Sequence, residues 1–147
     1  MASQLFEDVT AFHAQHGILG PAKPELPDVS MYAFRKKFMH EELSEIDQAY
    51  QDGDLVKFID GLLDLTYVVL GTAVLSGVAP ALWAELWDQV QLANLCKRRA
   101  ISFGESERLT GRGHAADVVK PEGWASPEPF LRMILEHAIA TGKPPRG

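Results

Sequence analysis

Two short acidic stretches flanking a tight turn constrain this chain more than anything else in it. They are Met39-His-Glu-Glu-Leu-Ser-Glu45 and Asp60-Gly-Leu-Leu-Asp64. Between them, Gln51-Asp-Gly-Asp54 reads as a helix stop at Gly53 followed by a new N-cap at Asp54. Two helices joined this briefly lie antiparallel. Glu45 stands eight residues before Gly53 and Asp60 seven after it, while Glu42 and Asp64 each stand eleven away. At equal rise per residue, each carboxylate therefore has a counterpart at nearly the same height on the facing helix. The pairs Glu41/Glu45 and Asp60/Asp64 are spaced i,i+4 and Glu42/Glu45 i,i+3, so each set can share a face. Carboxylates converging in this way repel one another unless a cation sits among them. Hard oxygen ligands suit Mg²⁺ or Mn²⁺.

The rest of the chain reads as helices around this hairpin. Residues 4–16 form a short amphipathic helix with Leu5, Val9 and Phe12 on one stripe. The proline-bearing segment 21–28 is extended, since proline lacks the donor that a helix or ladder needs. Helix two is expected over 29–51, capped by Asp28 or Ser30, with Met31, Phe34, Phe38 and Leu43 as its apolar positions. Helix three, 55–76, is apolar almost all round, which suits the middle of a bundle or an oligomer interface. Asp60 and Asp64 are the anomaly within it, because an unpartnered buried carboxylate is costly. A fourth helix starts at Pro80, carries Leu82, Leu86, Val90 and Ala93 as its core stripe, and is expected to run out through Arg99. Residues 101–123 read as a long polar loop and 126–141 as a last helix stopped by Gly142. With no strand-like alternation of any length, the expected class is all-α, in one domain with a core over about residues 5–100.

Composition removes several functions. A net charge of −6 argues against general nucleic-acid or anionic-membrane binding. The one cysteine, Cys96, cannot form an internal disulfide and reads as buried filler, which fits a reducing cytoplasm. The start of the chain lacks a basic region followed by an apolar run, so no signal peptide is expected. The uncharged stretch 65–84 approaches the length of a membrane span, but Ser76-Gly77 and Pro80 interrupt it, and it reads as a buried helix, a break and the next helix. No Glu-x-x-His occurs, which argues against a ferritin-type di-iron centre. His13 and His16 have no third nitrogen or sulfur ligand nearby in sequence, so a zinc site is not expected. There is no P-loop motif.

A solvated helix face explains most charge runs, and Asp47, Asp52 and Asp54 fit that reading. It does not explain two aspartates at i,i+4 inside an apolar helix, matched in height to Glu42 and Glu45. Carboxylates alone point to Mg²⁺ holding a polyphosphate, and a polyphosphate also calls for protein cations. Asn94 and Lys97, i,i+3 at the end of helix four, are candidates for contacting it. Arg98 and Arg99 read instead as charges complementing a helix C-terminus.

Glu41-Glu42-Leu-Ser-Glu45 followed by Asp60-Gly-Leu-Leu-Asp64-Leu-Thr-Tyr resembles the motif of the all-α nucleoside triphosphate pyrophosphatases, the MazG-like superfamily: Glu-Glu-x-x-Glu, a spacer, then Glu-x-x-Asp. Gly61 stands where that pattern has Glu, and Asp60, one residue earlier, is the expected substitute. Asn94-Leu-Cys-Lys97 is similar to the superfamily's phosphate-contacting Asn-x-x-Lys, and Val119-Lys-Pro-Glu-Gly-Trp124 to a C-terminal segment that closes near its active site. The resemblance implies a MazG-like bundle assembled as a homodimer or dimer of dimers. It implies a pyrophosphohydrolase that converts a (d)NTP to a (d)NMP and pyrophosphate with two or three Mg²⁺ ions. Glu41, Glu42, Glu45, Asp60 and Asp64 would hold metal, with Glu41 or Glu42 activating water. Asn94, Lys97, Lys120 and Trp124 would contact substrate, and Tyr67, one turn beyond Asp64, would pack near the sugar or in the core. The overall look is similar to the viral MazZ branch, which would imply action on dGTP or GTP for 2-aminoadenine nucleotide synthesis. A dUTP- or damaged-nucleotide pyrophosphatase is the alternative enzyme. A non-catalytic acidic helical interaction module is the alternative of another class.

Overall fold

The computed structural model describes residues 2–142. Asp28 starts the long hairpin by accepting a hydrogen bond from the Met31 amide at 2.7 Å, and α2 then runs Val29–Gln51. Gly53 takes the left-handed conformation, φ 66°, that reverses the chain. Asp54 caps the returning helix by accepting from the Lys57 amide at 3.0 Å, and α3 runs Leu55–Leu75. The two helices pack along their length. The α2 seam is not the apolar set expected from its sequence. Arg35, Ile46 and Ala49 are its buried residues, with Met39 and Glu42 half-buried on the same line, while Phe34 and Leu43 face outward. From α3, Gly61, Val68, Gly71 and Leu75 enter the seam.

α1 (Ala2–Gln15) lies across α3 and α4 (Pro80–Leu95). Its inward face is Phe6, Val9 and His13 rather than Leu5, Val9 and Phe12, so the stripe is rotated by one residue from the expected one. Phe6 stacks on Trp83 with ring centres 4.9 Å apart, and Phe6, Val9, Leu70 and Val74 form the core. Full burial of side chains of this size contributes about 1.5–3 kcal/mol each.

The uncharged stretch breaks between α3 and α4, as its Ser-Gly and proline indicate. By length and composition alone α3 could cross a membrane; only a third of that window is buried within the chain.

Beyond α4 the chain departs from the expected loop. The helix ends at Leu95, short of Arg99, and Cys96 at its cap is exposed rather than buried. Arg98–Arg99 form a strand, β1, paired antiparallel with β2, Val118–Val119. Between them lies α5, Phe103–Thr110, capped by Ser102 and stopped by Gly111. Arg98 and Arg99 therefore do not serve a helix C-terminus. Arg98 pairs with Glu105 at 2.7 Å, and Arg99 donates to the Ala115 carbonyl. α6 (Glu128–Thr141) packs back on α4 and is stopped by Gly142. Among the described residues there are six helices and one two-stranded ribbon: an all-α fold with a small C-terminal module.

Candidate active site

The hairpin brings Glu42 and Glu45 of α2 and Asp64 of α3 together, one oxygen of each lying within 4.8 Å of the others. Equal distance from the turn has set Glu42 opposite Asp64. The burden of burial falls on α2 rather than on the aspartates: Asp60 and Asp64 are both exposed, and Glu42 is the residue drawn into the seam. Its Oε2 atom is buried and has no hydrogen-bond partner. Desolvation, followed by the charges of Glu45, Asp64, Glu41 and Asp60, pushes its carboxyl above the ordinary range. A buried carboxylate oxygen among like charges, without a donor, is stabilised by any cation that binds beside it. The donor set is oxygen only, which fits a hard divalent ion.

Gly61 explains the departure from the superfamily pattern. A Cβ at this position would lie 2.7 Å from Ile46 Cγ1 and 3.6 Å from the Ile46 backbone, so a side chain here must displace that of Ile46. Asp60, one residue earlier, leaves the seam and lines a polar cavity of about 340 Å³ with Glu45, Gln48, Asp52 and Lys57. Glu41 lies to the other side, lining a cavity of about 320 Å³ with Phe34, Lys37 and Phe38.

Past that, toward the start of α2, opens an aromatic cavity of about 520 Å³. Phe12, Phe34, Phe38 and Tyr67 line it, and Tyr67 meets Phe12 edge-on at 5.3 Å. Its polar lining is Arg35 with His13, Asp28 and Ser30. The guanidinium is buried, donates from Nε to Thr72 Oγ1 at 3.2 Å and from Nη2 to the Val68 carbonyl at 3.0 Å, and has no carboxylate partner among the described residues. Burial lowers its pKa from the usual guanidinium value. His13, also buried, donates from Nδ1 to the Ile18 carbonyl at 3.0 Å, which fixes Nε2 as its free atom. Gly71 makes room for both: a Cβ there would stand 2.7 Å from His13 Nε2 and 2.8 Å from Arg35 Nη2. Arg35 and His13 had no signal as site residues in the sequence. The only clue was position, since Arg35 falls one heptad before Glu42 on the seam.

The remaining candidates gather elsewhere. Trp124 donates from Nε1 to the Ala93 carbonyl at 2.7 Å, and its ring carries Lys97 Nζ at 5.4 Å and Lys120 Nζ at 4.8 Å from the centre. Asn94, in the last turn of α4, is exposed. This group belongs to α4 and the C-terminal module, and α4 packs on α1 and α6 rather than on the carboxylate hairpin.

Residues 9–94 match the phosphoribosyl-ATP pyrophosphohydrolase family, PRA-PH. The chain belongs to that family. PRA-PH is a branch of the MazG-like all-α pyrophosphohydrolase superfamily, in agreement with the motif resemblance and the helical fold. Membership indicates a nucleotide pyrophosphohydrolase, acting on an acid anhydride, of a metal-dependent type. The PRA-PH match spans α1 to α4 and stops at Asn94, so the C-terminal module lies outside it. No curated protein matches the chain in sequence.

Proposed function

We propose that the protein is a Mg²⁺-dependent (d)NTP pyrophosphohydrolase acting on dGTP and GTP. Water attacks the α-phosphorus, the α–β anhydride bond breaks, and (d)GMP and pyrophosphate leave. The observation that carries this reading is the buried, unpartnered Glu42 Oε2 among Glu45 and Asp64. Glu42, Glu45 and Asp64 would hold Mg²⁺ (or Mn²⁺), with Asp60 at the edge of the adjoining polar cavity. When bound, the ion offsets triphosphate charge and supplies a nucleophile at neutral pH. Glu41, outside the cluster but beside it in sequence, is the group assigned to orient the water and accept its proton.

The aromatic cavity supports the choice of base. Phe12, Phe34, Phe38 and Tyr67 offer faces for a planar ring next to Glu41. Arg35 is a donor only, with N–H groups beyond those used on α3, and guanine presents two acceptors, O6 and N7, on one edge where adenine presents an acceptor and a donor. A homodimer is part of the proposal. Ile59, Leu62, Leu63 and Val69 of α3 are exposed apolar side chains that a second copy would cover.

The test is pyrophosphate release from dGTP, GTP, dATP, dCTP, dTTP, dUTP and phosphoribosyl-ATP, with Mg²⁺ and with chelator. Chelator-sensitive release from dGTP and GTP ahead of the others is the expected result. Preference for dUTP moves the role to pool cleaning, and preference for phosphoribosyl-ATP to that family's namesake reaction. No release from any of them by folded, metal-loaded protein overturns the enzyme reading.

A further inference from the structure

His13 and Arg35 stand in the wall of the aromatic cavity, and each has one structural job that leaves part of the side chain unused. His13 Nδ1 donates to the Ile18 carbonyl, which ties the end of α1 to the loop that follows it. In the neutral ring Nε2 then carries a lone pair and no proton, and it has no hydrogen-bond partner among the described residues. Arg35 spends Nε on Thr72 and one N–H of Nη2 on the Val68 carbonyl, which leaves the Nη1 hydrogens and the second on Nη2. Phe34 and Phe38 hold the guanidinium, at 5.7 and 5.4 Å from their ring centres. His13 is only 4% exposed and Arg35 6%, whereas Asp28 and Ser30, the other polar residues of the lining, are exposed. Polar groups this buried cost stability unless something bonds to them. Gly71 keeps their unused atoms together: a Cβ there would stand 2.7 Å from His13 Nε2 and 2.8 Å from Arg35 Nη2. A glycine inside a helix costs about 0.5–1 kcal/mol relative to alanine, so α3 gives up stability at the one place where the two side chains meet.

The wall thus presents an N–H donor beside a nitrogen acceptor. The ligand edge that matches it is an acceptor beside a donor, which is a lactam: a ring C=O with an adjacent ring N–H. Guanine and hypoxanthine carry it as O6 and N1–H, and uracil and thymine as O4 and N3–H. Adenine carries the reverse, an amino group beside N1, and cytosine an amino group beside N3. In the same pose these bases set donor against donor and acceptor against acceptor. We propose that Arg35 and His13 read the lactam edge of the base, so that hypoxanthine triphosphates are substrates as good as dGTP. The proposal rests on the assignment of the aromatic cavity to the base. The 2-amino group of guanine lies outside the pair, and only the two-ring lactams also offer N7 to Arg35, which ranks uracil and thymine lower.

Two readouts separate the reader from the hydrolase. The first is calorimetric binding of dGMP, dIMP and dAMP to the full-length protein, which needs no turnover. Binding of dIMP should lie within about threefold of dGMP, and that of dAMP about tenfold or more below, the scale of one lost bond in a buried site. The second is pyrophosphate release with Mg²⁺ from dGTP, dITP, dATP and O6-methyl-dGTP, in which N1–H is gone and O6 is capped. The first two should share one kcat/KM, with the last two about tenfold or more lower. His13→Asn keeps a donor for the Ile18 carbonyl and leaves nothing at Nε2. Its preference for dGTP over dATP should fall about tenfold, whereas loss of a merely structural residue lowers both rates together. His13→Gln returns an amide oxygen near that point and should recover part of the preference. The wild-type panel decides the matter even where a variant fails to fold. Adenine or O6-methylguanine nucleotides handled like dGTP, dITP more than about tenfold poorer than dGTP, or no monophosphate binding at millimolar concentration overturns the lactam reader. An unchanged preference in folded His13→Asn overturns the part given to His13. Selective monophosphate binding without release from any triphosphate counts against the hydrolase alone, and release that ignores the base edge counts against the reader alone.

Discussion

The α2–α3 hairpin and the α5–ribbon module both draw carboxylates out of solvent, and they treat them in opposite ways. In the module the two carboxylates that are mostly shielded from solvent, Glu105 and Asp117, are saturated. Arg98, with help from the Ile101 amide, holds the Glu105 carboxyl down to about 2, and Asp117 is drawn well below the carboxylate range by Arg112, Thr110 and Ser106. In the hairpin Glu42 is pushed up, by burial first and then by its acidic neighbours, and one oxygen has no donor at all. Saturated carboxylates are joints of the fold. An unsaturated one, kept in a seam where an apolar side chain would pack better, is what the proposed metal site rests on.

The strongest way to break this contrast is at Glu42. Glu42→Gln should lower turnover by roughly 10²-fold or more in a folded protein, because even residues that only support a metal ligand cost about 10–100-fold when lost. The same variant should gain thermal stability without metal and lose the rise in Tm that Mg²⁺ gives the wild type. A variant that melts lower without metal would mean that Glu42 is a structural partner after all.

Gly61 tests whether the hairpin can accept the acid that the superfamily motif places there. With Ile46 Cγ1 only 2.7 Å from the position of a Cβ, Gly61→Ala and Gly61→Glu should each destabilise by about 1–3 kcal/mol, as overpacking does. Denaturant unfolding measures this. A Gly61→Glu protein that is as stable as wild type and more active would show that Asp60 is not the substitute.

The smallest effect sharpens the module side. Glu105 has a folded pKa below its ordinary 4.5, so the stability it contributes is present above that value and lost as pH falls through about 2. Asp117 acts in the same direction. Hydrogen exchange at acid pH should therefore open residues 98–119 before the α2–α3 seam, and Asp117→Asn should open them already near neutrality. Simultaneous opening would show that the module is not a separate unit of stability.

Much of the hairpin was legible in the sequence because its signals are local. Cap, turn and carboxylate spacing all lie within 37 residues, and helical rise alone sets Glu42 level with Asp64. The module was not legible: α5 and two-residue strands are too short for periodicity to register, and Arg98 reads as a helix end until Glu105 is seen beside it. The rotated stripe of α1 and the seam of α2 failed for a different reason. Leu5 and Phe12 are as apolar as Phe6, so composition cannot say which face turns inward.

By itself, then, the sequence determined the helices, the reversal at Gly53 and the common height of the acids, since these follow from backbone geometry. Tertiary structure decided which face of each helix is buried. With that it decided that Glu42 rather than Asp64 loses its solvent, that Arg35 enters an aromatic cavity without forming an ion pair among the described residues, and that Lys97 and Lys120 meet on Trp124. Those outcomes depend on contacts such as Arg35 with Val68, Ala93 with Trp124 and Lys97 with Trp124, between residues far apart in sequence that only the packed chain brings together.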